Sequence, residues 1–185
     1  MVIIVDSWIS HVDIIDYKWS TASPYNPKMI AYLSGAMENA PHEGQEWRRE
    51  MTEWLQHNLS HQVIDPTLMS RATAIKENAQ EYKLWKSAHP EKYKSFIRKI
   101  IRLDIDAVIS KVDYIICLWD EYVIKGGGTH AEVTFGYWYH KPVFLINKLE
   151  KAAFSSWIEA CSDFVFDDFN SLQIHLLKLY KINQN

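Results

Sequence analysis

A chain of 185 residues that is 48% hydrophobic and 23% charged has the composition of one globular domain with a sizeable core, and is too short for two ordinary domains. A formal net charge of -3 leaves no electrostatic reason to expect nucleic acid or a membrane surface as partner, and points to a small soluble ligand. No run approaches the roughly 18 uninterrupted apolar residues of a membrane span. The apolar start Met1 to Val5 lacks a basic flank and is broken by Asp6, so no signal peptide is expected and the cytoplasm is the expected compartment.

In chain order, residues 1–28 read as an N-terminal extension. They hold a short strand at Val2 to Val5 and a loop by composition from Ser20 to Pro27. Residues 29–185 read as one α/β domain. The run Met29-Ile-Ala-Tyr-Leu is a buried strand turning at Ser34-Gly35. Trp47, Met51, Trp54 and Leu55 fall at helical spacing within Gln45 to His57. Gln62 to Asp65 is a second strand, stopped by Pro66. The polar stretch 67–101 reads as a helical insertion of two helices, one near Ala72 to Ala88 and one starting at Pro90 and reaching Ser110.

Tyr114 to Trp119 is continuously apolar, as a strand covered on both faces should be. A Gly-rich loop, Lys125-Gly-Gly-Gly-Thr129, follows, and Thr129 is the expected N-cap of a helix from His130 to Tyr139. Strands at Val143 to Ile146 and Phe164 to Phe166 and a closing helix from Asn170 to Tyr180 complete the pattern. Strands alternating with helices imply a mostly parallel sheet with helices on both faces.

Cys117, inside an apolar run, reads as a buried thiol, and Cys161 as a half-exposed helix residue; their spacing suggests neither a disulfide framework nor a zinc site. His57 and His61 have the four-residue spacing of a helical metal pair but no evident third ligand. No metal or cofactor is expected.

In open α/β sheets, ligands bind beyond the carboxyl ends of the strands. Three loops leave such ends here: Ser34 to Gly44, the stretch after Asp65, and Asp120 to Thr129. The last is neither a P-loop nor a dinucleotide fingerprint. Glu132 follows it, in what reads as the first turn of a helix, where the dipole favours an ionised carboxylate. Such a group suits a nucleophile or a stabiliser of an oxocarbenium ion; the plain alternative is a first-turn glutamate favoured by the dipole alone.

Three segments change that balance: Ile30-Ala-Tyr32-Leu-Ser-Gly35-Ala, the stretch Asp104 to Asp120, and Gly128-Thr-His-Ala-Glu132-Val-Thr-Phe-Gly136-Tyr with the later Lys141-Pro-Val. In order and spacing they resemble the nucleoside 2-deoxyribosyltransferase superfamily, which includes deoxynucleoside monophosphate N-glycosidases. The resemblance spans most of residues 29 to 147 and implies a single Rossmann- or flavodoxin-like domain. It implies that Glu132 attacks the anomeric carbon to form a glycosyl ester, that Tyr32 holds the carboxylate or the sugar, and that an aspartate protonates the leaving base.

That aspartate is expected eight residues before Asp113, where Ile105 stands; Asp104 and Asp106 flank it, and Asp104 is preferred. Gly126 occupies the position, six before the glutamate, of an Asp or Ser in the family, so sugar or phosphate contacts must come from elsewhere, such as Asp120, Lys125 or backbone N–H groups. Gly35, Gly126, Gly128 and Thr129 are further candidate substrate contacts. Met37 and Trp47 could stack on a base, although the core is the preferred place for Trp47, and His130 reads as a solvent-facing helix residue. The resemblance also implies a homo-oligomer. The expected activity is cleavage or transfer at the N-glycosidic bond of a nucleoside or nucleotide; an NAD-type glycohydrolase and a non-catalytic nucleotide-binding module are the alternatives.

Overall fold

The computed structural model describes residues 28–181, so the expected strand Val2 to Val5 lies outside the described residues. Among the described residues five strands form one sheet: β1 (Ile30–Gly35), β2 (Gln62–Ile64), β3 (Tyr114–Trp119), β4 (Val143–Asn147) and β5 (Phe164–Phe166). Their order is β2-β1-β3-β4-β5 and every pairing is parallel. This is the flavodoxin-like doubly wound order, in which the direction of winding reverses between β1 and β3.

The helices are α1 (Gln45–Leu59), α2 (Pro66–Lys76), α3 (Trp85–Ala88), α4 (Pro90–Ser110), α5 (Gly128–Trp138), α6 (Ser156–Ala160) and α7 (Phe169–Tyr180). Alternation along the strands sorts them onto two faces. Ala31 and Leu33 of β1, with Tyr114 and Ile116 of β3, pack against Met51 and Leu55 of α1 and Leu172 and Leu176 of α7. Tyr32, Ile115 and Cys117 face the other way, against Ala107 and Val108 of α4 and Val133 of α5. Each fully buried Leu, Ile or Val stabilises by about 1.5–3 kcal/mol, and these two layers contain most of them.

Four expectations are corrected. The turn expected at Ser34-Gly35 is still strand, because Gly35 continues the ladder opposite Leu118. The helix expected near Ala72 to Ala88 ends at Lys76: Asn78 takes a left-handed φ of 51°, which asparagine tolerates, and Ala79 N–H closes the turn on the Ala74 carbonyl. A 3₁₀ turn at Tyr82–Leu84 and the four-residue α3 follow, and Ala74, Ala79 and Phe96 form a small separate core beneath them. Thr129 is not a cap, because Gly127 already has helical angles and its carbonyl accepts the first helical bond from Ala131. Cys161 is buried rather than half-exposed, packed in the cluster under α6.

Candidate active site

The reversal of winding leaves a crevice at the carboxyl ends of β1 and β3, which opens as a cleft of about 290 Å³. Its floor is Gly35 to Asn39 at the end of β1 and Tyr122, Val123 and Gly126 to Thr129 after β3, without Lys125; its wall is Tyr93, Ile97, Ile100 and Asp104 of α4; its rim is Tyr82, Lys83 and Lys86. Glu132 reaches this cleft from α5. Gly127 and Gly128 have open space where a Cβ would stand, so the floor there is bare backbone.

Glu132 lies in the second turn of α5 rather than the first, and only 6% of its surface is exposed. Burial pushes its pKa up, against the expectation that the helix dipole alone keeps it ionised. What opposes burial is specific. The Ser34 hydroxyl donates to Oε2 at 2.5 Å, the Tyr32 hydroxyl donates to Oε1 at 2.9 Å, and the Arg48 charge adds to both.

Asp104, which faces the cleft from α4, is in a different situation. Burial and then the Glu132 charge raise its pKa to about 8. Its Oδ1 is buried with no hydrogen-bond partner among the described residues. Two acids in one cleft thus differ in support: two hydroxyl donors and the Arg48 charge oppose the effect of burial at Glu132, whereas Asp104 keeps its proton at neutral pH. Tyr32 lies between them. Burial, then the Glu132 charge, then that of Asp104 keep its phenol protonated far above the ordinary range, so it acts as a donor.

Arg48 of α1 holds the floor in place. It is fully buried and donates to the carbonyls of Leu33, Gly35, Ala36, Glu43 and Gly44, with Asp65 at 3.9 Å. The last turns before α1 run through His42, Glu43 and Gly44 at φ values of 48°, 58° and 65°. Two left-handed residues other than glycine cost of order 1–3 kcal/mol each, and the Arg48 bonds to Glu43 and Gly44 offset part of that. A side chain at Gly44 would collide with Arg48 itself.

No family model matches the sequence, and no curated protein matches it. Among solved structures, the chain is similar to the CMP N-glycosidase BcmB of Clostridium botulinum, at 17% identity, with a TM-score of 0.43, over 82% of this chain and 99% of that one.

Of the residues singled out from the sequence, Gly35, Met37, Asp104, Gly126, Gly128, Thr129 and Glu132 line the cleft, and Tyr32 reaches it through its hydroxyl. Asp106 points outward from α4 and is exposed. Asp120 and Trp47 line a neighbouring depression instead. Asp120 is spent on the turn after β3, accepting from Tyr122 N–H, and Trp47 packs on Phe169 at 5.9 Å. His130 is half-buried rather than solvent-facing, edge-on to Trp119 at 4.7 Å. His61 is buried against the Tyr114 hydroxyl at 2.8 Å and His57 is exposed on α1.

Sequence reading missed Ser34, Arg48 and the wall of Tyr82, Tyr93, Ile97 and Ile100. Ser34 was findable, since strand period puts it on the same face as Tyr32. Arg71 of α2 and Lys83 pair with Glu43, and Lys86 with Glu38 at 2.7 Å, tying α2 and the segment after it to the loop after β1 across the mouth.

Proposed function

We propose that this chain breaks the N-glycosidic bond of a nucleoside or nucleotide through a glycosyl ester on Glu132. The carrying observation is the pair of carboxyl groups with different environments in one cleft, Glu132 accepting from two hydroxyl donors and Asp104 holding its proton without a partner for its Oδ1 among the described residues. A Glu132 oxygen bonds to the anomeric carbon as the bond from that carbon to the base nitrogen breaks. The electron pair leaves on the nitrogen, and the Asp104 proton goes to the base. Asp104, now ionised, takes a proton from water or from an incoming base, which opens the ester. Two inversions at the anomeric carbon give net retention. Tyr32 keeps the Glu132 carboxylate oriented through both steps.

A cleft of about 290 Å³ accommodates a nucleoside-sized ligand. The bare backbone at Gly127 and Gly128 lets the sugar side of the ligand approach closely. The test is a panel of nucleosides, deoxynucleosides, their monophosphates and NAD, with release of free base followed by chromatography. Base is expected from a mononucleoside or mononucleotide, and Glu132→Ala should lower its release by at least about a thousandfold. Undiminished release from that variant refutes the assignment. Binding without release by the unaltered protein supports the non-catalytic alternative.

A further inference from the structure

We propose that Ser34 is a positioning residue that breaks the symmetry between the two acids of the cleft, holding the negative charge on Glu132 and fixing the plane of its carboxylate. The proposal rests on the reading of Glu132 as the nucleophile.

Tyr32 cannot settle the matter alone, because its hydroxyl is within the influence of both carboxyl groups and its single proton can serve either. Ser34 touches only one. Its hydroxyl donates to Glu132 Oε2, while Tyr32 donates to Oε1, so the two oxygens are pinned by donors two residues apart on one face of β1. Rotation of the carboxylate would break one bond or the other, and each oxygen retains a lone pair for the substrate.

Ser34 has no better use for its proton. It is fully buried, and its neighbour in register on β3 is Cys117, also fully buried, whose sulfur is a weak acceptor. Leu33, Ser34 and Gly35 are paired with β3, and the carbonyls of Leu33 and Gly35 also accept from Arg48. A protonated Glu132 would require one of the two hydroxyls to turn from donor to acceptor, and Ser34 would then have only the weakly accepting Cys117 for its proton. The arrangement therefore favours the anion by geometry. Taking away the Ser34 donor removes a hydrogen bond to a charged group, which corresponds to a rise of about one pH unit or more in the titration of that carboxyl.

The experiment is isotope-edited infrared titration of protein carrying ¹³C-labelled glutamate, with the Glu132 band identified by its loss in Glu132→Gln. Ser34→Cys keeps a small side chain with a weak donor, and Ser34→Ala removes the donor; thermal unfolding reports whether each is folded. The expected order of the Glu132 titration midpoint is unaltered protein lowest, Ser34→Cys higher, Ser34→Ala highest. The acid limb of kcat/KM should move in step, with kcat at neutral pH reduced about tenfold or more and KM nearly constant. Should Ser34→Ala not fold, Ser34→Cys decides. Folded variants whose Glu132 titrates where it does in the unaltered protein overturn the proposal. The infrared readout needs no substrate. Shifted titrations beside undiminished base release from Glu132→Ala would refute the nucleophile and leave Ser34 setting the charge of a bystander acid.

Discussion

Replacing Asp104 by asparagine tests the electrostatic core of the mechanism without any substrate. Asparagine keeps the shape and cannot ionise. In the folded protein the Asp104 carboxyl holds its proton to about pH 8, against a reference of 3.8. That is about four pH units at about 1.36 kcal/mol each, a ceiling near 6 kcal/mol. The side chain borders an open cleft, and screening there reduces the expected effect to about 2–4 kcal/mol. The sign follows from the raised folded-state pKa. Between about pH 4 and pH 8 the folded state holds a proton that the unfolded chain has released, so this contribution is complete below pH 4 and is lost as pH rises through 8. The Asp104→Asn variant has no such dependence. Urea unfolding of both proteins at pH 4.5, 6.5 and 8.5 should show the variant gaining on the unaltered protein at each step, with other titrating groups cancelling in the difference. A difference constant to within about 0.5 kcal/mol over that range would refute the burial argument. In turnover, the same carboxyl sets an alkaline limb near pH 8, and the variant should lose about 10²–10⁴ in rate for bases that need protonation to leave.

Arg48→Met should cost about 3–5 kcal/mol in urea unfolding, since it strips the donor from five carbonyls and leaves Asp65 without its nearest cation; a loss under about 1 kcal/mol would mean that water replaces the guanidinium readily. Gly136→Ala and Gly128→Ala form a contrast on one helix. A Cβ at Gly136 would meet Ile115 Cδ1 and should destabilise by about 1–3 kcal/mol, whereas at Gly128 it meets nothing within 4 Å and should leave the melting temperature unchanged or slightly higher. If substrate lies against the bare loop, only the Gly128 variant should raise KM in a folded protein.

The sheet was legible because its central strands are runs such as Tyr-Ile-Ile-Cys-Leu-Trp that have no other use in a chain this polar, and strands alternating with helices leave few topologies. The helix break at Asn78 was not, since a left-handed asparagine in a polar stretch has no periodic signature. Thr129 illustrates a rule applied two residues too late: a good capping residue does not cap when the two glycines before it already adopt helical angles. The partnership of Tyr32 and Glu132, 100 residues apart, entered through resemblance rather than pattern, as a long-range hydrogen bond must. Arg48 stayed hidden because an arginine on an amphipathic helix ordinarily faces water. Only the closure of the loop before α1 turns it inward. Asp120 had the right composition for a ligand contact, but the turn after β3 consumes it.

Among the described residues the two outermost strands, β2 and β5, are three residues long each. A foreign segment seeking to extend the sheet would find only a few backbone partners at either margin, too few to propagate cross-β growth. Crowded copies of this protein should therefore resist fibril formation by templating. Association through the described residues would draw instead on exposed side chains such as Trp138 and Trp157 on helices, where sequence changes leave the strand ladder beneath the cleft undisturbed.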